Sequence, residues 1–340
     1  MSTHALVAAI SIVVGISLAA YVLFGGADFG GGVWDLLARG PRADAQRRLV
    51  AEAIGPIWEA NHVWLILIVV ILFTAFPAAF ARFSIDLHLP LTAALIGIVL
   101  RGSAFTFRAY DSGRDDVQRR WSRIFAISSL LTPLCLGTAA GAVAAGRILP
   151  TPEGFTASFV SPWLAPLPLA IGIMAVLLFA YLAAIYLALA ASEPALVEDF
   201  RRRAQVTGLV LFVVAVAVAV WGVARVPIVR GALERPLAIG VGVVGTVAAG
   251  VALWALRTRR LEVARLAAGT QATAFIAGWG AAQWPWIIPP TLTVEAAAAP
   301  RPTLVLLLLA LGAGAAILLP SLAYLFRVFG REARSEKREA

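Results

Sequence analysis

Long apolar runs recur along the whole of this chain, and they limit the fold more than any other feature of the sequence. Hydrophobic residues make up 61% of the chain and charged residues only 14%, whereas soluble domains have about 45–50% and about 25%. The sequence therefore predicts an all-α polytopic membrane protein with nine transmembrane helices. At about 20 residues per membrane-crossing helix, the nine runs are 5–26, 55–81, 85–108, 122–147, 163–191, 205–226, 235–256, 264–289 and 302–329.

The positions of the basic residues predict how these helices are oriented. Cytoplasmic loops of membrane proteins are enriched in Lys and Arg, and 21 of the 28 basic residues fall in alternate loops, on the side opposite the N-terminus. Six lie on the other side, and Arg101 lies inside a predicted helix. We therefore expect the N-terminus outside and the C-terminus in the cytoplasm. The net charge of +9 reflects this asymmetry rather than a nucleic-acid partner.

The predicted loops are too short to hold a separate soluble domain. The longest has about thirty residues, so we expect a single integral membrane domain over residues 1–340, with function located within the helices or at their ends. Helices one to four and five to eight begin on the same side, which predicts two four-helix bundles and one extra helix. The first run lacks the basic start and the cleavage pattern of a signal peptide, so we expect it to remain in the mature protein.

Residue types that ligate metals or haem are scarce in this sequence. Cys135 is the single cysteine and lies in an apolar run, and the three histidines are His4, His62 and His88. His62 and His88 are predicted near opposite membrane faces, where they cannot ligate one iron from its two sides. We therefore predict no metal and no haem bound by this chain, and any redox chemistry needs a cofactor held elsewhere.

Three charged residues are predicted within the membrane, where each needs a partner, water or a function. Asp28 lies in GADFGGG at the cytoplasmic end of the first helix, where the glycines permit close packing or a break. Glu59 begins the second helix, three residues before His62 and on the same helix face. Arg101 lies about 10 Å inward from the cytoplasmic end of the third helix. A carboxylate near a cytoplasmic opening is typical of a proton relay, the role we assign to Glu59.

Arg101 has two interpretations at this point. Its side chain could extend to the cytoplasmic surface along its neighbours, or it could form a structural ion pair with Asp28 or Glu59. We favour the ion pair, with Asp28 and Arg101 acting as charge partners that set the protonation of Glu59.

A further unusual segment, QWPWIIPP, follows the eighth predicted helix at the outer surface. Its prolines end a helix, and the rings of Trp284 and Trp286 suit the headgroup region of a bilayer. The segment is either an interfacial helix end with aromatic anchors or part of the lining for a lipid-like ligand.

These segments together resemble one family, subunit II of the cytochrome bd-type quinol:oxygen oxidoreductases. The matching segments occur in the same order and at similar spacing over almost the whole chain. They are GADFGGG from Gly26, IGPIWEANHVWLI from Ile54, AFP from Ala75, LRGSAFTFR from Leu100, QWPWIIPPTLT from Gln283 and the final LPSLAYLFRVFG.

The resemblance implies an obligate partner of a haem-bearing subunit I in a terminal oxidase of a bacterial or archaeal cytoplasmic (inner) membrane. In this family subunit I carries the b-type haems, haem d and the quinol-oxidising site. Subunit II ligates no haem and is understood to contribute a cytoplasmic proton path. The resemblance also raises the expectation of a structural quinone in this chain and of a small accessory subunit, with quinol and oxygen as substrates of the complex.

Carried over to this sequence, the acid positions of the family fall on Asp28 and Glu59, and Trp64 falls at a position linked to oxygen access from the lipid. Some members have Asp-Gly where this chain has Glu59-Ala60, so the carboxylate is kept but its reach is longer by one methylene. Our candidates for quinone or oxygen access are Trp58, Trp64, Trp284 and Trp286.

Two other functions remain open from the sequence. A secondary transporter or ion carrier also uses many spans, broken helices and intramembrane charges, but it would purify without a haem-containing partner. A purely structural scaffold for subunit I would lack a proton path, and substitutions of Glu59 would then leave turnover unchanged.

Overall fold

The fold is almost entirely helical. The structure is a computed structural model that describes residues 1–54, 58–110, 115–148 and 154–339, without the side chains at 54, 58–60, 108–110, 115–116, 118–119, 228, 232, 319, 322–323 and 325–339. The helices are α1 (Thr3–Leu36), α2 (Ala43–Ile54), α3 (Trp58–Ala75), α4 (Pro77–Asp86), α5 (His88–Tyr110), α6 (Asp115–Ala144), α7 (Ser161–Leu164), α8 (Pro166–Ala190), α9 (Pro194–Arg225), α10 (Pro227–Gly231), α11 (Pro236–Arg257), α12 (Leu261–Gln283) and α13 (Arg301–Glu339).

The predicted class, a multi-pass helical membrane protein, agrees with this structure, whereas the count of nine spans is not confirmed. Seven described helices are long and apolar enough to cross a membrane, namely α1, α5, α6, α8, α9, α11 and α13. The pair α3 and α4 makes an eighth if it counts as one span. The eighth predicted run corresponds to α12, which has 23 residues but is not among the seven. The ninth span and the orientation therefore remain predictions.

The second predicted run, 55–81, is not one straight helix. The chain breaks at Phe76, and the axes of α3 and α4 differ in direction by 118°. Pro77 explains the break, because proline has no N–H to donate and is suited to the first turn of a new helix. The 18 residues of α3 still extend about 27 Å, close to the thickness of a bilayer core.

Several other helix boundaries differ from the sequence prediction. The helix predicted at 5–26 continues through GADFGGG to Leu36 without the break that its glycines would permit. The loop predicted after it contains α2, an amphipathic helix whose Val50 is buried. The helix predicted at 205–226 begins earlier, at Pro194, so α9 has a charged first part outside the predicted span.

The eighth predicted run, 264–289, is also too long. Helix α12 ends at Gln283, and the chain then forms a small antiparallel sheet of β1 (Trp286–Ile288) and β2 (Leu292–Thr293). Trp286 pairs with Thr293 and Ile288 with Leu292, with an irregularity between them. The prolines of QWPWIIPP end the helix, so this short hairpin is the one departure from an all-α fold among the described residues.

Helix α1 lies at the centre of the packing. It contacts α3 and α6, which belong to the first four predicted spans, and α8 and α12, which belong to the next four. Within the first group α5 packs on α6, and within the second α8 packs on α9 and α11 packs on α12. The two groups also pack closely on each other through α1, α6 and α8, so the predicted pair of separate four-helix bundles is not confirmed; α13 packs against α1 and α3.

Glycines in the last third of α1 make these close contacts possible. A Cβ atom on Gly30 would overlap the carbonyl oxygen of Phe179 in α8, and one on Gly26 would lie 2.6 Å from Cδ1 of Leu182. Backbone oxygen cannot move aside as a flexible side chain can, so α1 and α8 can approach this closely only where α1 has no side chain.

Candidate functional site

The clearest polar site is a buried ion pair between α1 and α5. The side chain of Arg101 is 2% exposed and that of Asp28 is not exposed at all. One guanidinium nitrogen of Arg101 donates to Oδ1 of Asp28 and also to the backbone oxygen of Asp28, at 2.9 Å. Arg101 therefore does not extend to the surface, and among the described side chains it forms an ion pair with Asp28.

Helix α6 completes the surroundings of the guanidinium group. Nε of Arg101 donates to Oγ of Ser129 at 2.9 Å, and that hydroxyl donates to the backbone oxygen of Phe125 at 2.7 Å. The guanidinium carbon lies 5.0 Å from the ring centroid of Phe29 and 4.8 Å from that of Phe125. Two aromatic faces and three oxygen acceptors thus stabilise a cation that would be costly to bury alone.

Within the described part of the chain, the carboxylate of Asp28 is satisfied on one side only. Oδ2 is buried and has no hydrogen-bond partner within the described part of the chain. The hydroxyl of Tyr21 and both amide atoms of Asn61 are likewise buried and unpartnered there. The sequence analysis did not single out Tyr21 or Asn61, although an amide in an otherwise apolar helix is a signal that could have found Asn61.

The residue assigned as proton relay, Glu59, lies in the first turn of α3. The side chains of Glu59 and Trp58 lie outside the described residues, so the relay assignment stays a prediction. The backbone position is nevertheless informative, because α3 packs directly on α1 and Glu59 is only two residues before Asn61.

The structure does not bring the candidate tryptophans together. Trp64 stacks on Phe24 of α1, with ring centroids 6.5 Å apart, and joins the core around α1 and α8. Trp284 packs in a second core cluster, and its backbone oxygen accepts a hydrogen bond from Arg235. Trp286 lies in β1. A single access site lined by all of them is therefore not formed among the described side chains.

A large apolar cavity, which the sequence analysis missed, lies between α1, α8, α11 and α12. Its volume is about 1190 Å³. Ala20, Leu23, Phe24 and Ala27 of α1 form one wall, and small residues of α11 and α12 form another. Trp64, Trp284 and Trp286 are absent from this lining. Tyr186 and Arg265 are the titratable side chains in its described lining, and most of the remaining lining is apolar, so the cavity suits an apolar molecule.

The described residues contain no group of three or more His, Cys, Asp or Glu side chains placed to hold a metal ion. His4 contacts Glu295. A ring nitrogen of His88 lies 2.8 Å from the backbone oxygen of Ile85. These side chains have local partners that fit structural roles.

A second polar cluster joins α2 to the charged first part of α9, which precedes the predicted span 205–226. Arg42 binds both carboxylate oxygens of Asp199 at 2.8 and 2.7 Å, and Gln46 donates to Asp199 at 3.0 Å. The hydrogen bonds from Arg42 hold the pKa of Asp199 below its usual value. Arg201 and Arg202 likewise lower the pKa of Glu198 to about 2.

The fold and the site define a class of protein. It is a multi-pass helical membrane protein with a buried carboxylate–arginine pair and with no metal-ligand cluster among its described residues. The sequence model of the family "Cytochrome bd terminal oxidase subunit II" matches residues 6–329. The chain therefore belongs to the cytochrome bd terminal oxidase subunit II family.

Individual relatives agree with this family. The chain is 30% identical over 126 residues to cytochrome bd ubiquinol oxidase subunit 2 of Bacillus subtilis (strain 168), a match over 37% of this chain and 36% of the relative. It is 28% identical over 134 residues to cytochrome bd-I ubiquinol oxidase subunit 2 of Escherichia coli (strain K12), over 38% and 34%. The matched region thus spans about a third of the length of these relatives.

The fold is similar to a chain in the structure of bd oxidase from Geobacillus thermodenitrificans. The TM-score is 0.81 at 20% sequence identity, and the match covers 96% of this chain and 98% of that chain. At this identity the likeness establishes the fold alone. The coverage means that the two folds correspond along nearly the whole length of both chains.

Proposed function

We propose that this chain is subunit II of a quinol:oxygen oxidoreductase in the bacterial or archaeal cytoplasmic (inner) membrane. It pairs there with a haem-bearing subunit I, and the family resemblance adds the expectation of a small accessory subunit. The pairing with subunit I is tested below. Family membership supports the proposal, as do the names of the relatives, each a subunit 2 of a cytochrome bd ubiquinol oxidase.

The observation that carries a proton-conducting role is the half-satisfied carboxylate of Asp28. Its Oδ1 is held by Arg101, whereas Oδ2 has no partner among the described residues. Electrons that reach a buried oxygen-reducing site must be accompanied by protons, because uncompensated charge in a low-dielectric interior is very costly. The b-type haems and haem d of subunit I would supply the oxygen-reducing chemistry, and this chain would supply part of the proton route from the cytoplasm.

In this route Glu59 takes up protons near the predicted cytoplasmic end of α3. The ion pair of Asp28 and Arg101 sets the local charge that controls the protonation of Glu59. If quinol releases its protons outside and oxygen reduction takes protons from inside, turnover creates a proton-motive force without a separate pump. We place the structural quinone in the apolar cavity beside α1, because its lining suits an isoprenoid chain better than the separated tryptophans do.

Purification through this chain tests the pairing. The expected result is a coloured complex whose reduced-minus-oxidised spectrum contains haem bands from the partner. A secondary transporter or ion carrier would purify colourless and alone, which would contradict the proposal.

Substitution of Glu59 tests the proton route. We expect Glu59→Gln to slow oxygen consumption by about a hundredfold, the lower end of the range for loss of a positioned proton-transfer group, while the haem spectrum and the yield stay normal. Glu52→Gln, on the neighbouring helix α2, is the matched control and should leave turnover unchanged. Normal oxygen consumption by purified Glu59→Gln would favour the scaffold function and remove Glu59 from the route.

A further inference from the structure

Two arginines share a small pocket where α6 and α9 end and α8 begins. The pocket has a volume of about 350 Å³, and Arg147, Arg225 and Trp221 belong to its lining. It lies on the side of the membrane that the sequence predicts to be outside, where only six of the 28 basic residues are found. Two cations that line one pocket on the side poor in cations require an explanation.

The side chain of Arg147 is not needed to complete the end of α6. The backbone N–H of Gly146, which has a φ of +63°, donates to the backbone oxygen of Val143 at 3.0 Å. The backbone N–H of Arg147 donates to that of Ala142, also at 3.0 Å. These two bonds form a Schellman motif, which closes the helix with backbone atoms alone. The guanidinium group of Arg147 therefore has no role in this cap.

The side chain of Arg225 is likewise not used at the end of α9. The guanidinium group of Arg230 donates to the backbone oxygens of Val223 and Ala224, each at 3.1 Å, and so bonds the last turn of this helix. Neither Arg225 nor Arg147 forms a side-chain hydrogen bond or an ion pair with another described residue. Both guanidinium groups thus remain available to a molecule in the pocket.

The described lining of the pocket contains no negative group to balance these two charges, because none of its residues is Asp or Glu. Two like charges that line one small pocket repel each other. Helix α8, which has 25 residues, begins in the lining at Pro166, so the positive end of its dipole lies at the same place. The pocket is therefore complementary to an anion.

The surroundings of the pocket favour the phosphate of a lipid over a free ion. The ring of Trp221 is 39% exposed and suits the headgroup region of a bilayer. Val213, Val216 and Val220 lie on one face of α9 and are also exposed, so an apolar strip leads from the pocket toward the bilayer core. Guanidinium groups bind phosphate oxygens through paired hydrogen bonds, and the volume is near the lower end of the range for small-molecule sites, about 300–1,000 Å³.

We propose that Arg147 and Arg225 bind the phosphate of an anionic phospholipid from the leaflet on the predicted outer side. Trp221 lies beside the headgroup, and an acyl chain follows the exposed valines of α9. The site is separate from the apolar cavity beside α1, since no described residue lines both. It is also independent of the proposed oxidase function, because it involves neither the proton route nor the quinone.

Native mass spectrometry of the delipidated complex tests this binding, with dioleoyl phosphatidylglycerol as the probe and dioleoyl phosphatidylcholine, which has the same chains but no net charge, as the comparison. We expect one phosphatidylglycerol to bind more tightly than phosphatidylcholine. Arg147→Gln and Arg225→Gln should each weaken its binding by about tenfold, the lower range for loss of a hydrogen bond to a charged group. Arg225→Lys keeps the charge without the planar group and should weaken it less.

Arg301→Gln is the matched control, because it removes one positive charge on the same predicted side but outside the pocket lining. Its binding of phosphatidylglycerol should equal that of the unsubstituted complex. An equal loss in Arg301→Gln and Arg225→Gln would mean that the lipid responds only to surface charge, and it would overturn the site.

Two further measurements decide what occupies the pocket. Inorganic phosphate in excess should leave phosphatidylglycerol bound, whereas its displacement at similar concentrations would identify an ion site and overturn the lipid. A high-resolution map of the unsubstituted complex needs no variant and should show headgroup density between the two guanidinium groups. A carboxylate in that place, from subunit I or from Glu153, which lies outside the described residues, would also overturn the proposal.

Discussion

Two faces of the same helix, α1, differ sharply in what they contact. Tyr21, Gly25 and Asp28 face a polar region where α3, α5 and α6 supply an amide, a guanidinium group and a hydroxyl. About a third of a turn around the helix, Ala20, Leu23, Phe24 and Ala27 face the apolar cavity in front of α11 and α12. Asp28 and Ala27 are adjacent in sequence, yet one belongs to a charged site and the other to an apolar wall.

The difference shows how a helix that is apolar on average can serve two purposes. The charge of Asp28 is acceptable because Arg101, Ser129 and two aromatic rings surround the pair. The cavity face needs no such partners, because its apolar side chains are stable against either lipid or an apolar ligand. The polar region is therefore sensitive to the loss of a single group, whereas the cavity region should tolerate added volume.

The largest effect is expected from breaking the ion pair. Arg101→Ala leaves the Asp28 carboxylate buried without its cation, at a cost of about 3–5 kcal/mol, and Asp28→Ala leaves the guanidinium group in the same position. We expect both single variants to lose assembled complex, measured as the yield of purified protein. In contrast, the double variant Asp28→Leu with Arg101→Met, which removes both charges, should recover part of the yield. Normal yield of both single alanine variants would show that the pair does not stabilise the fold.

A smaller effect is expected from adding one methyl group at two glycines in contrasting places. Gly30→Ala would overlap the backbone of Phe179 and should destabilise the protein by about 3 kcal/mol, the upper end of the range for overpacking. Gly240→Ala, at a cavity-lining position with no atom within 4 Å of the added carbon, should be neutral or stabilising by up to about 1 kcal/mol. Thermal unfolding midpoints of the two variants measure the contrast. Equal destabilisation by both would mean that the cavity is not open space.

The smallest effect is expected from the polar cluster of Arg42, Gln46 and Asp199, which joins α2 to the first part of α9. Because the pKa of Asp199 is lower in the folded protein than its ordinary 3.8, its charged form contributes stability above that ordinary value, and this contribution is lost as the pH falls through the folded pKa. Asp199→Asn should therefore lower the unfolding midpoint at pH 7 by a small amount, and the difference from the unsubstituted protein should shrink as the pH falls below 3.8. A difference that grows on acidification would contradict the sign of this linkage.

The helical segments were predictable because membrane helices depend on local apolar length alone. The predicted helix boundaries were wrong where prolines end a helix. Pro77 divides the second run into α3 and α4, and the prolines after Gln283 end α12 before residue 289. Helix α2 was missed because the prediction considered long apolar runs, although its amphipathic spacing was visible in the sequence.

The candidate site was predictable in part. A charged residue in an apolar run stands out by itself, so Asp28 and Arg101 could be named from the sequence. Tyr21 does not stand out in this way, because a phenol is unremarkable until its surroundings in the fold are known. The amide of Asn61 in an apolar helix was a signal that the sequence prediction did not use. Glu59 stays a prediction, since its side chain lies outside the described residues.

The sequence by itself determined the membrane class, the family resemblance and the short set of charges within the helices, since each of these depends on residue type and local spacing. Only the tertiary structure decided that Arg101 pairs with Asp28, 73 residues away, that the second carboxylate oxygen of Asp28 is buried without a hydrogen-bond partner among the described residues, and that another face of α1 lines a cavity. The physical reason is that these features depend on how separate helices are rotated and packed against each other, which no single helix specifies.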